Sequence, residues 1–132
     1  MPLFMLDTNI CIHLMKNQPE QVAKRFAQCY TGDVVMSAIT FAELEYGVAV
    51  CENSKREKLN LMALIEDILV APFDASAATA YGPIRQAARD RKKDQLDKLI
   101  AAHAVALKVT LVTNNERDFV AYAGLKIENW LV

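Results

Sequence analysis

Phe4-Met5-Leu6-Asp7-Thr8-Asn9 is the stretch on which the fold turns. Pro2 and a short apolar run lead directly into a carboxylate and two small polar residues. That is the pattern of a buried strand ending where the chain leaves the core, with hydrogen-bonding side chains starting a helix. In an open α/β sheet, ligands bind in the crevice outside the carboxyl ends of the strands. Asp7, Thr8 and Asn9 are also good N-cap residues for the helix beginning near Ile10. The stretch alone therefore leaves a cap and a site both open, and the rest of the chain must decide by supplying partners for Asp7.

The remaining chain alternates helical and strand patterns. Helices are predicted over 10–16 and 20–30, separated by Asn17-Gln18-Pro19, and Thr31-Gly32-Asp33 forms a turn before the buried strand Val34-Val35-Met36. Thr40 starts a helix to about Cys51, a polar segment covers 52–58, and an amphipathic helix covers 59–68. Leu69 to Phe73 is a strand candidate that Pro72 ends or confines to an edge. Asp74-Ala75-Ser76 caps a long helix over 77–92, and 96–107 forms another. Thr110 to Thr113 is a strand, 116–122 a helical turn and 125–131 a last strand. Strands alternating with helices predict one α/β domain over 1–132, in three α/β/α layers around a mostly parallel sheet of four or five strands.

Composition agrees. The 132 residues are 53% apolar and 23% charged, a globular balance. With 15 basic and 16 acidic residues the formal net charge is −1, so any attraction for nucleic acid must come from local clustering. Cys11, Cys29 and Cys51 fit no zinc or CxxC spacing, and a reducing cytosol suits them. Pro2 to Leu6 is too short for the apolar region of a signal peptide. The apolar stretch 99–112 is interrupted by His103 and Lys108, so no bilayer span is expected and the protein should be cytoplasmic.

Three further segments bring acids or amides to strand ends or helix starts. Glu43 stands one turn into a helix that follows a strand. Thr40-x-x-Glu43 equally matches a capping box, in which the glutamate serves the N-cap backbone. Asp97 shares a helical face with Ala101 and Ala104, small residues that allow close approach to the sheet. Asp94 lies off that seam and can pair with Lys98 at helical spacing. Thr113-Asn114-Asn115-Glu116-Arg117-Asp118 follows a buried strand, with Asn115 a candidate cap. Two carboxylates about 4 Å apart repel by roughly 4 kcal/mol near a protein surface. Gathered acids therefore raise their pKa values or splay apart unless a cation joins them. Oxygen-only ligands suit magnesium or manganese rather than zinc, and such a site activates water for attack on a phosphodiester. His103, in an apolar helix, reads as a packed core residue, and His13 as a surface or groove residue.

Taken together, Met5-Leu6-Asp7-Thr8-Asn9-Ile10, the run from Ser37 through Glu43 to Gly47, Asp97 to Ala104, Leu111 to Phe119 and the ending Gly124 to Trp130 resemble a PIN-domain ribonuclease, and more closely the VapC toxins of type II toxin–antitoxin systems. The resemblance runs along essentially the whole chain in order. It implies that Asp7, Glu43 and Asp97 bind Mg2+ (or Mn2+) and activate the attacking water. Thr8 and Asn9 orient the first acid, and Thr113 supports the site from the final cluster. It further implies an endoribonuclease acting on structured RNA such as tRNA, a homodimer, and a small antitoxin that inserts a basic side chain among the acids. Operator DNA is reached only through that antitoxin. The helices at 10–15 and 59–68 are candidate dimer faces. A PIN-fold protein that only sequesters RNA or a partner is the alternative.

The chain departs from the family pattern twice. Many PIN domains carry an aspartate where this chain has Asn115, an amide that can coordinate metal or water without charge, leaving Asp118, or else Glu116, to supply the fourth acid. The approach to Asp97, rich in glycine and proline in relatives, reads Arg91-Lys92-Lys93-Asp94-Gln95-Leu96 here. That run concentrates Arg85, Arg89, Arg91, Lys92, Lys93 and Lys98 beside the site. If it lines the groove it holds RNA phosphates, with salt-dependent binding.

Overall fold

A computed structural model describes residues 1–91 and 95–132. Strands β1 (Phe4–Leu6), β2 (Val34–Ser37), β3 (Leu69–Ala71), β4 (Thr110–Val112) and β5 (Lys126–Glu128) form one sheet in the order β3-β2-β1-β4-β5. Every neighbouring pair is parallel, with Met5 opposite both Val35 and Leu111. Seven helices occur among the described residues: α1 (Thr8–Lys16), α2 (Glu20–Ala27), α3 (Ala38–Val50), α4 (Ser54–Asp67), α5 (Ala75–Ala87), α6 (Gln95–Leu107) and α7 (Glu116–Phe119).

The period of two along each strand sends alternate residues to opposite faces. Met5, Val35 and Leu111 join Ile84 of α5 and Ile100 and Ala101 of α6 in one core. Leu6, Val34, Met36 and Val112 join Ile10, Val22, Leu44, Leu61 and Leu64, from α1 to α4, in the other. Both faces are thus covered, which is why the strands read as continuous apolar runs. The chain steps from β1 to β2 to β3 with helices on one face. It then returns past β1 to β4 with helices on the other, as crossovers of a single hand require. The strand order therefore reverses between β1 and β4, and the crevice outside their carboxyl ends is the topological switch point.

Several boundaries move for physical reasons. The polar segment before Leu59 is no connector. Asn53 caps α4 by accepting from the Arg56 amide at 3.3 Å, so residues 54–58 are its first turns. The helix after Glu20 stops at Ala27, and Gly32 takes the left-handed φ of 92° that the following turn requires. α5 ends at Ala87, short of the predicted end at Lys92, which lies outside the described residues, as do Lys93 and Asp94. Pro72 ends β3, an edge strand, as expected. The last strand is only Lys126–Glu128, because the Asn129 side chain turns the chain by accepting from Leu131 N at 2.9 Å and Trp130 folds inward.

Candidate active site at the switch point

Asp7 follows β1 and is only 4% exposed. One carboxylate oxygen accepts from the Ile10 amide at 3.0 Å, so the N-cap role is real. The other accepts from the Thr113 hydroxyl at 2.5 Å. Thr113 follows β4, is fully buried, and has its own oxygen fixed by the Asn115 amide at 3.0 Å. Cap and site are thus one arrangement: the helix start orients the carboxylate, and the neighbouring strand end supplies its second partner. Burial pushes the Asp7 carboxyl above its ordinary range. The bonds from Thr113 and Ile10 offset part of this, and the nearby Glu43 carboxylate pushes it further up.

Glu43 approaches from α3. Its Oε1 accepts from the Thr8 hydroxyl at 2.7 Å, and Thr8 Oγ1 lies 3.4 Å from Thr40 Oγ1. The capping-box reading of Thr40 and Glu43 is corrected here. Ser37 caps α3 by accepting from the Ile39 amide at 3.0 Å, so the helix begins at Ala38 and Glu43 is turned toward α1. With the cap served by Ser37, the glutamate is released for the crevice.

Asp97 is half-buried in the first turn of α6. Six residues on, His103 is fully buried with Nδ1 2.7 Å from Ser37 Oγ, and this contact ties α6 to the carboxyl end of β2. Asp97 lies about 9 Å toward the helix N-terminus from that tie, at the same end of the sheet as Asp7 and Glu43. Burial lowers the His103 pKa, which the Asp74 carboxylate and the Pro72 carbonyl partly counter. That shift favours the neutral imidazole, whose Nδ1 shares one hydrogen bond with the Ser37 hydroxyl.

The remaining expected residues are placed differently. Asn9 is exposed on α1 and makes no side-chain hydrogen bond among the described residues. Asn115 begins α7 without a side-chain cap bond, so its expected capping role falls to nothing more than its backbone amide on Thr113. Asp118 faces Arg91, 3.0 Å from Nη2, and Glu116 accepts from Asn129 at 3.3 Å. Neither acid is in the Asp7–Thr8–Glu43–Thr113 network. Sequence reading missed Ser37 and the strut role of His103. A serine directly after a strand was the available signal for the first, and a lone imidazole among alanines for the second.

All donors that converge here are hard oxygens, which suits a small divalent cation. Among the described residues no three Asp, Glu, His or Cys side chains stand close enough to hold one ion. A closed protein cage is not needed, however. Magnesium keeps several waters and is commonly held through one or two carboxylates plus substrate phosphates. Asp7 and Glu43, with Asp97 on the adjacent helix, fit that kind of centre. A cation would also offset the burial, and the smaller repulsion from Glu43, that raise Asp7.

A parallel sheet with a buried acid at its switch point, faced by oxygen donors from three other elements, has the design of a PIN-domain nuclease, and the PIN domain family model matches residues 4–125. The tRNA(fMet)-specific endonuclease VapC of Shigella flexneri is 39% identical over 129 residues, 96% of this chain and 97% of that protein. The VapC in the DNA-bound VapBC complex of Salmonella typhimurium superposes with a TM-score of 0.90 at 36% identity, covering 98% of this chain and 99% of its own. That in the promoter-bound VapBC2 complex of Rickettsia felis gives 0.88 at 30%, covering 97% and 98%. The chain belongs to the VapC family of PIN-domain ribonucleases, the toxins of VapBC toxin–antitoxin systems. This family is generally metal-dependent. No helix among the described residues is long and apolar enough to cross a membrane.

Proposed function

We propose that this toxin is a magnesium-dependent endoribonuclease, with manganese able to substitute, that cuts structured RNA and in particular tRNA, and so stops translation in the cytoplasm. The observation that carries this reading is the buried Asp7 carboxylate, held by Thr113 and facing the Thr8–Glu43 pair at the switch point. The tRNA assignment draws on the relatives named for tRNA(fMet).

Asp7 and Glu43 would hold the cation together with waters and substrate phosphate, with Asp97 acting through the water shell, and the cation would supply a polarised phosphate and a water more easily deprotonated near neutral pH. Thr113 fixes the direction of the Asp7 lone pairs, and Thr8 does the same for Glu43. Asn9 and Asn115 supply amides to the water shell. Asp118 joins the acids only by leaving Arg91. The α1 and α4 helices remain the candidate homodimer faces. A VapB-like antitoxin neutralises the acids with a basic side chain and carries the complex to operator DNA, a role suggested by the DNA-bound complexes of the relatives.

The decisive measurement is cleavage of tRNA with magnesium by the wild type, Asp7→Asn and Asp97→Asn. Loss of a charge that stabilises the transition state by several kcal/mol should lower the rate by on the order of 10²-fold or more. Equal rates would sink the assignment. RNA retained by the wild type without cleavage under any divalent metal would instead mark a sequestering protein.

A further inference from the structure

Beside the acids, α5 and the start of α6 enclose an open pocket of about 550 Å³. Arg85 and Arg89 reach it from α5 and the segment just after it, one helical turn apart, and Arg91 and Lys98 close it from the α6 side, with Gln86 and Gln95 between them. No acidic residue is among the described lining residues, although acids slightly outnumber bases in the whole chain.

Arg91 is paired with Asp118, but the other three cations make no ion pair among the described residues. Lys98 is 2% exposed, and its ammonium donates to the Arg91 carbonyl, a neutral partner that fixes the side chain without cancelling its charge. Arg85 rests over the Tyr81 ring at 5.9 Å and touches its hydroxyl at 3.4 Å, and Arg89 donates to the Gln86 carbonyl at 3.2 Å. Neither arginine pairs with a carboxylate among the described residues. A guanidinium has five donors, so each retains a fork for a bidentate anion. Concave and lined by cationic side chains, the pocket suits phosphate. Lys98 is the neighbour of Asp97 in the chain, so the pocket and Asp97 share the first turn of α6.

We propose that this pocket is a phosphate subsite that grips the RNA backbone beside the scissile bond, with Arg85 and Arg89 as its contact residues. The proposal rests on the nuclease reading, since the position next to Asp97 is what selects RNA over other polyanions. The pocket sets the register of the strand, while the acids do the chemistry. Near-neutral net charge makes the grip local: the contacts are few, and the salt dependence should be correspondingly shallow.

The test measures binding of a fluorescently labelled tRNA across a KCl series. Asp7→Asn is the non-cleaving parent, alone, with Arg85→Ala/Arg89→Ala, and with Lys55→Ala/Arg56→Ala as an exposed control pair on α4. The pocket pair should weaken binding about tenfold and flatten the slope of log K against log salt by roughly 1.4 to 1.8, two contacts at about 0.7 to 0.9 each between single-stranded and duplex values. The control should change neither, and all three proteins should share one thermal midpoint. An unchanged slope for the pocket pair, or an equal fall in the control, overturns the subsite. Wild-type cleavage is assayed in parallel. Acid-dependent cleavage with pocket-independent binding removes the subsite alone, and pocket-dependent binding without cleavage removes the nuclease reading alone.

Discussion

Asp7 is asked to do two things that conflict. As a cap it must accept from Ile10 in a nearly dry position, and as a ligand it must be ionised there. Its pKa is raised in the folded chain, so the native state holds the proton more tightly than the unfolded state does. The resulting penalty is absent below the ordinary carboxylate value of 3.8 and fully present once pH exceeds the raised native value. Metal-free protein at pH 7.5 should therefore melt higher as Asp7→Asn, which keeps an acceptor for Ile10 and removes the buried charge. Magnesium should then raise the midpoint of the wild type and leave that of the variant nearly unmoved. Thermal melts with and without chelator decide it, and a variant that melts lower in chelator shows the charge to be already compensated. Thr8→Val tests the other half of the site. It removes the 2.7 Å bond that aims Glu43 while preserving shape, and groups behind a metal ligand typically matter by 10- to 100-fold. Cleavage should fall by about that factor at subsaturating magnesium, and partial recovery at high magnesium would identify the loss as one of metal affinity.

The helices that carry the acids are aligned by elements, not by the acids themselves. α6 brings Asp97 and α3 brings Glu43, and the two meet through His103 and Ser37. Phe73 packs edge-on against the imidazole at 5.3 Å, and Asp74 is the charged group facing it. Because burial lowers the native pKa of His103, the unfolded chain binds a proton first on acidification. Stability from this group is present above about pH 6.5 and is lost as pH falls through that value toward the lowered native one. His103→Asn keeps an acceptor for Ser37, loses the ring, and should cost about 1–3 kcal/mol at pH 7.5. Between pH 7 and 5 its midpoint should fall less steeply than that of the wild type, and parallel curves would show that the imidazole does not titrate there. The contrast with sequence reading is instructive. Strand ends such as Leu6-Asp7 and Val112-Thr113 were legible because hydrophobic period and polar punctuation are local. The choice between Ser37 and Thr40 as cap of α3 was not, since both are acceptable caps and only the Thr8–Glu43 bond from a distant element separates them. Asp118 illustrates the same limit: its spacing from Thr113 suited a fourth acid, but Arg91, 27 residues away, holds it.

At the scale of the molecule, charge is sorted rather than abundant. A net charge of −1 hides an acidic crevice at the β1/β4 switch point and a cationic pocket at its flank. A partner with a basic side chain and the metal ion therefore seek the same oxygens, while RNA needs both the metal and the flank. If the antitoxin neutralises Asp7 and Glu43 with an arginine or lysine, its binding and that of magnesium are linked with negative sign, and reciprocity requires each to weaken the other equally. Titrating the cognate antitoxin into the toxin at about 0 and 10 mM magnesium, at constant ionic strength, should give a weaker apparent affinity with the metal. A coupling of about 1–3 kcal/mol corresponds to roughly 5- to 150-fold. Asp7→Asn should bind the antitoxin more weakly in chelator and lose most of the magnesium effect, because the shared ligand has lost its charge. Affinity indifferent to magnesium in the wild type would place the antitoxin's hold outside the acid crevice. Inhibition would then have to act by blocking the RNA path instead of by occupying the metal's oxygens.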